Sequence, residues 1–201
     1  MKAELQQSLY DRNPLLIMGL GLCPAVAVTS SLKTGLVFGC TMLISLMVSN
    51  LLLSILKPIV KPPIHLIGLV FITSAIAASA DIILTALFFD IRMNLGIFVP
   101  LIAVSGFLLN RGTAAASSLS PVAALGDGFV MGTGYLFALI IIGALREIAG
   151  SNSLWGISIV PGFSGVAAFA LPSGGFISIG ILMAWFRYRA LQRHKTGHSH
   201  S

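Results

Sequence analysis

The sequence predicts an all-α integral membrane protein: six transmembrane helices arranged as an inverted repeat of two three-helix units, each starting with a broken half-helix. Three observations lead there. Apolar runs of near-membrane length recur along the chain, the basic residues gather on one side of the topology those runs define, and the first and fourth runs are both interrupted by glycine and proline. Of the 201 residues 56% are apolar and 9% charged. A soluble domain carries roughly 25% charged residues, so no water-facing surface can be built from this chain.

The apolar runs lie at about 15–31, 35–56, 64–89, 95–110, 125–145 and 170–186. Most approach the roughly 20 residues needed to cross the hydrocarbon. Ser30, Ser31 and Lys33 make the first turn, Lys57-Pro58 through Pro63 a stiff loop, and Asp90-Ile91-Arg92 the divide between the third and fourth runs. Residues 111–124 and 146–169 are the long connections. The second holds Trp155, Pro161, Gly162 and Phe163 and reads as an interfacial segment, because tryptophan is favoured at headgroup level. No polar linker divides the chain, so one domain is expected over 13–190, with 1–12 as a cytoplasmic N-terminal segment and 191–201 as a disordered cytoplasmic tail. The polar, mixed-charge start and the lack of a small-residue cleavage site before Pro24 argue against a removed signal peptide.

The net charge of +6 does not point to nucleic acid, because the basic residues are spread over short loops and one tail. With a cytoplasmic N-terminus, Lys2, Arg12, Lys57, Lys61, Arg111, Arg187, Arg189, Arg193 and Lys195 lie inside, and Lys33, Arg92 and Arg146 outside. Nine against three satisfies the positive-inside rule and makes both termini cytoplasmic. Lipid is the surrounding partner on this reading.

The first run reads NPLLIMGLGLCPAVAVTSS, with Gly19, Gly21 and Pro24 in its middle. The fourth reads NLGIFVPLIAVSGFLLNRG, with Gly96, Pro100 and Gly106 similarly placed. Each begins at an asparagine (Asn13, Asn94), and each opens a group of three helices entering from opposite sides. Proline removes a backbone donor, and broken backbone at membrane depth survives only when buried in protein or lining a cavity. The functional centre is therefore expected where the two breaks meet. Two proline kinks in an ordinary bundle would leave the same residues in place.

Asp81, inside the third run, invites two readings: an ion or proton pathway, or local pairing near the helix end. Asp127 is expected to cap the start of the fifth helix, Arg146-Glu147 to pair at its interfacial end, and Arg111 to anchor the cytoplasmic side. Gly128 and Gly132 form a GxxxG that permits close helix approach. Cys23 and Cys40 fall in apolar stretches, so a disulfide framework is not indicated; on residues alone an apolar-flanked cysteine is more often a small buried hydrophobe, and Cys40 reads as helix packing. His194, His198 and His200 in the tail leave metal binding open, though a solvated tail is expected, and His65 sits at a loop after Pro62-Pro63. No nucleotide-binding glycine loop, zinc spacing or Ser/His/Asp arrangement is present, so hydrolytic chemistry has no visible residues and no catalytic residue is assigned.

The blocks GLGLCPAVAVT (19–29), LGIFVPLI (95–102), Asp127-Gly128 with the GxG at 132–134, GALREIAG (143–150) and LPSGGFISIG (171–180) recur in order over residues 13–186. In these the chain resembles the E subunits of Rnf electron-transport complexes and the related D subunits of sodium-pumping NADH:quinone reductases. The resemblance implies a subunit of the bacterial inner membrane that helps carry electrons across it, coupled to movement of Na⁺ or H⁺, and is not a complete enzyme by itself. It further implies an iron–sulfur cluster, of the 2Fe–2S type, shared with a homologous RnfA-type subunit of inverted topology. RnfB-, RnfC-, RnfD- and RnfG-type subunits would be the other partners, with flavins and NAD confined to them. Cys23 matches the motif cysteine directly, so the resemblance makes it the cluster ligand; thiolates are the usual ligands of such clusters, and a half-helix N-terminus stabilises them. The chain departs from the family pattern elsewhere. Where TNC and GRAEAFA are common, it reads VSG (104–106) and NRGTAAA (110–116), placing Gly106 at the second cysteine position and Thr113 at the acidic one. Three arrangements stay open: fewer cysteines, a different completing group, or loss of the cluster with the structural place kept. A retained cluster with altered ligation is the favoured expectation. The competing expectation is a small inverted-repeat transporter or substrate-binding subunit without a redox centre.

Overall fold

In a computed structural model the structure describes residues 13–56, 65–110, 120–155, 157–158, 169 and 171–197. The expectations placed on residues 1–12, the loop at 57–63, Arg111, Thr113, Pro161, Gly162, Phe163, His198 and His200 lie outside the described residues.

The described residues are almost entirely helical. In order they are α1 (Leu22–Val28), α2 (Leu32–Leu56), α3 (His65–Leu87), α4 (Phe89–Leu95), two 3-10 segments (Gly96–Phe98 and Pro100–Val104), a short helical stretch at 106–110, α5 (Pro121–Ser151), and α6 (Pro172–Gly197). Two-residue strands Ser153–Leu154 and Ile157–Ser158 pair antiparallel after α5. Among the described residues four stretches are long and apolar enough to span a membrane: Leu32–Leu56, Ile67–Leu87, Phe89–Asn110 and Pro121–Ser151. Against the six crossings expected, the described residues hold four such spans, and the third of these, Phe89–Asn110, is broken by the two 3-10 segments. The first run folds as turns plus the seven-residue α1. The last run lies in α6, 26 residues long, where the start at Pro172-Ser173-Gly174-Gly175 and the arginines Arg187 and Arg189 confine the apolar part to the stretch between them. Helical backbone in α6 reaches Gly197, so residues 191–197 of the expected tail are helical.

The core pair is α2 against α5, whose contact is the most extensive between any two elements. Glycine sets its closeness. A Cβ built on Gly132 would lie 2.9 Å from the Leu43 side chain and 3.1 Å from its Cα, and one on Gly128 would lie 3.1 Å from the Met47 Cα. The GxxxG expectation holds: removing two side chains lets backbones approach and gains dispersion contacts where lipid offers no hydrophobic drive. Phe38, Met42, Leu46, Ala138, Leu139 and Ile142 fill the rest of this seam.

Asp127 does not cap α5. The helix begins six residues earlier, where Ser120 is the N-cap, its Oγ accepting from the Ala123 N–H at 3.4 Å, and Pro121 stands at N1. Proline costs nothing there, since its missing N–H would have no intrahelical acceptor. Asp127 is instead a half-buried residue two turns into the helix.

Candidate functional site

Both interrupted runs are interrupted in the fold. In the first, the Asn13 side chain accepts from the Leu15 and Leu16 N–H groups at 3.1 and 3.0 Å, closing one turn. Gly19 (φ 68°) and Gly21 (φ 74°) then reverse the chain in the left-handed region, which only glycine enters freely. Gly21 is the N-cap of α1, so Pro24 falls inside the first helical turn rather than in mid-helix. The fourth run behaves alike. Gly96 (φ 53°) ends α4, and Pro100 starts the second 3-10 segment. Ser105 is extended, and its Oγ accepts from the Leu108 N–H at 3.4 Å to open the stretch 106–110. The α1 helix touches the 3-10 segment Gly96–Phe98, so the two breaks adjoin. Their entries differ, however. Asn13 is fully buried and donates to the Gly134 carbonyl at 2.9 Å, whereas Asn94 is exposed within α4.

Cys23 is the second residue of α1, with an exposed, free thiol. It lies in the first turn, where backbone N–H groups have no intrahelical acceptor. Tyr135 of α5 stands beside it, fully buried, its hydroxyl donating to the Gly21 carbonyl at 3.0 Å. The ring of Phe107 stacks on Tyr135 at 4.9 Å with a 16° interplanar angle. Thus Gly106, the residue before Phe107, is brought to the same neighbourhood as Cys23 through a single aromatic pair. Gly106 is exposed, and a Cβ built on it meets nothing within 4 Å. Nothing in the packing demands glycine there. The chain offers one thiol at this junction and open space at the second position.

Cys40 belongs elsewhere. It is half-exposed on α2 and lines an apolar cavity of about 710 Å³ between α2 and α3, with Thr41, Ser45, Phe71, Ala75 and Ser79. Among the described residues no group of three or more His, Cys, Asp or Glu side chains is placed to hold a metal. A cluster at this junction would therefore take one ligand, Cys23, from the described part of this chain and the others from elsewhere. Of the ligand set the resemblance implies, the structure fits Cys23 and leaves the position of Gly106 without a donor.

Asp81 on α3 is held by Arg92 on α4, with Nε and Nη2 each donating to one carboxylate oxygen at 3.0 Å. The chain bends at Phe88 between the two helices, which lets residues 11 apart meet. This ion pair is the local contact that the second reading of Asp81 calls for.

The residue whose role the sequence did not reveal is Arg146. Only 2% exposed, it donates through Nη1 to the Val26 carbonyl at 2.6 Å and to Thr29 Oγ1 at 2.9 Å, through Nη2 to the Leu171 carbonyl at 3.2 Å, and through Nε to the Phe169 carbonyl at 3.3 Å. Val26 lies in the last turn of α1, whose carbonyls have no helical donor and carry the negative end of the helix dipole. Glu147 does the converse at the head of α2, accepting from the Leu32 N–H at 2.7 Å. The pair expected to meet at the interface thus caps two other helices. A charged dipeptide in the apolar GALREIAG block was the available signal, but its partners lie 115 and 120 residues away. Beyond α5, Trp155 is exposed at the turn between the short strands, with the Lys33 ammonium 5.8 Å from its ring centroid. An aromatic and a cation paired in this way suit headgroup depth.

A family described as "Rnf-Nqr subunit, membrane protein" matches residues 1–183. The E subunit of the ion-translocating oxidoreductase complex of Rhodobacter capsulatus is 33% identical over 193 residues, covering 89% of this chain and 79% of the relative. Its namesake from Vibrio vulnificus (strain YJ016) is 33% identical over 197 residues, covering 91% and 86%. The E subunit of the proton-translocating ferredoxin:NAD(+) oxidoreductase complex of Clostridium ljungdahlii is 32% identical over 180 residues, covering 89% and 84%.

Proposed function

The chain belongs to the Rnf-Nqr family of membrane subunits, and from that premise we propose that it is the E-type subunit of an ion-translocating ferredoxin:NAD⁺ oxidoreductase complex. In this reading Cys23 supplies one thiolate to an iron–sulfur cluster shared with a homologous RnfA-type subunit. Such a group, when bound, supplies a one-electron relay partway across roughly 30 Å of hydrocarbon, a distance too long for a single electron transfer.

One observation carries the proposal. A free thiol stands exposed at the first turn of a half-helix, on the surface of the chain rather than in its core, which is where a ligand shared between two subunits has to be. Depth supports it as well. The 31-residue α5 rises about 46 Å, enough to project beyond the hydrocarbon at both ends. Tyr135 is 14 residues from its start and 16 from its end, so the junction beside Tyr135 falls near the bilayer middle. The protein's own residues do the rest. Gly19 and Gly21 turn the backbone, Asn13 and Tyr135 hold it to α5, and Arg146 ties the far end of α1 to the start of α6. The six-crossing inverted repeat, the inner-membrane location and the cytoplasmic termini belong to the same proposal, supported by the two adjoining breaks and the distribution of basic residues. RnfB-, RnfC-, RnfD- and RnfG-type subunits would complete the assembly and hold its flavins and NAD.

The test is iron analysis and a reduced-state electron paramagnetic resonance spectrum of the purified complex, in wild type and Cys23→Ser. A cluster signal that disappears in the variant while the subunits stay assembled bears the proposal out. A complex that transports ions and oxidises ferredoxin with no iron attributable to this subunit pair leaves the membrane role and removes the relay. Gly106 favours that second outcome more than any other residue does, because it offers no donor.

A further inference from the structure

One turn of α5 grips, at both ends, the segment that leads into Cys23. At the entry, the buried Asn13 side chain donates to the Gly134 carbonyl at 2.9 Å. At the exit, the hydroxyl of the adjacent Tyr135 donates to the Gly21 carbonyl at 3.0 Å. That carbonyl also receives the Ala25 N–H at 3.3 Å, the bond that opens α1. The start of the half-helix is therefore defined by an acceptor that Tyr135 shares. Contact is tight: a Cβ built on Gly21 would lie 3.0 Å from the Tyr135 ring and from its hydroxyl. Phe107 stacks on the same ring, and both side chains are fully buried, so the ring has little room to move.

From these contacts we propose that Tyr135 is a positioning residue: its hydroxyl bond to Gly21 sets the orientation of the Cys23 thiol, and its stack on Phe107 ties the Gly106 segment to the same strut. The proposal rests on the reading of Cys23 as a ligand for its purpose but not for its geometry. A bond two residues from the thiol governs where the first turn points, and the aromatic pair keeps the two interrupted runs in register, so that a group bridging them meets a fixed surface.

The experiment uses the assembled complex with Cys40→Ser in this subunit, comparing Tyr135 with Tyr135→Phe, and with Tyr188→Phe as a control on a hydroxyl at the far end of α6. After iron is stripped with a chelator, the rate of Cys23 alkylation by N-ethylmaleimide is followed by mass spectrometry. The iron-loaded complex gives the reduced-state resonance spectrum and midpoint potential. Tyr135→Phe keeps the ring and the stack, so subunit assembly should match wild type. Cys23 alkylation should change by about two- to tenfold, the range that losing one neutral hydrogen bond allows. The spectrum or potential should move, while Tyr188→Phe leaves all readings unaltered. Equal alkylation in Tyr135 and Tyr135→Phe, including none in either, together with an unmoved spectrum overturns the proposal. If the wild-type complex holds no cluster, the relay has failed, and the alkylation arm still decides the role of Tyr135.

Discussion

Replacing Arg146 by methionine keeps most of the side-chain volume and removes every donor. Four acceptors lose a donor, the Val26 carbonyl, Thr29 Oγ1, and the Leu171 and Phe169 carbonyls, although the Leu171 carbonyl keeps the Gly174 and Gly175 N–H groups. The two longer bonds, at 3.3 and 3.2 Å, are the weaker ones, so most of the effect comes from Val26 and Thr29. Each buried acceptor left unmatched costs about 1–3 kcal/mol. Partial relief comes from no longer burying a guanidinium, and the net loss is about 3 kcal/mol, at the lower end of what breaking a buried charged network brings. For a chain of this size that corresponds to a fall of roughly 6–12 °C in melting temperature. Lysine, a point charge that reaches only some of these acceptors, should fall between methionine and wild type. Gly175→Ala attacks the same site from α6, because its Cβ would lie 3.1 Å from the guanidinium carbon and 3.1 Å from Val26 Cγ1. The measurement is loss of the native peak of the detergent-solubilised complex on heating, followed by size exclusion. An Arg146→Met midpoint within about 2 °C of wild type would refute the capping role.

Gly132→Leu should prevent α2 and α5 from closing, because backbone as well as side-chain atoms of Leu43 occupy the space, and overpacking of this kind costs about 1–3 kcal/mol or more; membrane-inserted protein should drop sharply on immunoblot, while Gly106→Ala, whose Cβ meets nothing within 4 Å, accumulates like wild type. Asp81→Asn should lower assembly or activity by stranding Arg92, and Arg92→Gln introduced alongside should restore it; persistent loss of ion transport in the double variant, measured in proteoliposomes, would instead make Asp81 part of the ion pathway.

Much of the site was legible because its determinants are local. Proline lacks a donor wherever it sits, and positive φ favours glycine in any fold, so Pro24, Pro100, Gly19, Gly21 and Gly96 announced the interruptions without knowledge of neighbours. Gly128 and Gly132 marked a close helix contact for the same reason, although not which helix would fill it. Asp127 lies inside α5 rather than at its cap because the Ser120-Pro121 start signal, present in the sequence, overrides the beginning of the apolar run. The first run reads as a span by composition, yet two left-handed glycines leave only seven residues of continuous helix.

Membrane residence, the positions of the breaks and the thiol at Cys23 are properties of composition and covalent structure, so the chain carries them before it folds. Which polar groups satisfy one another is not such a property. Tyr135 finds Gly21 across 114 residues, Arg146 finds Val26 across 120, and Glu147 finds Leu32 across 115. A buried polar group must be paired inside lipid, but any partner of suitable geometry will serve, and only the packing of α5 against α1 and α2 brought these particular partners within reach.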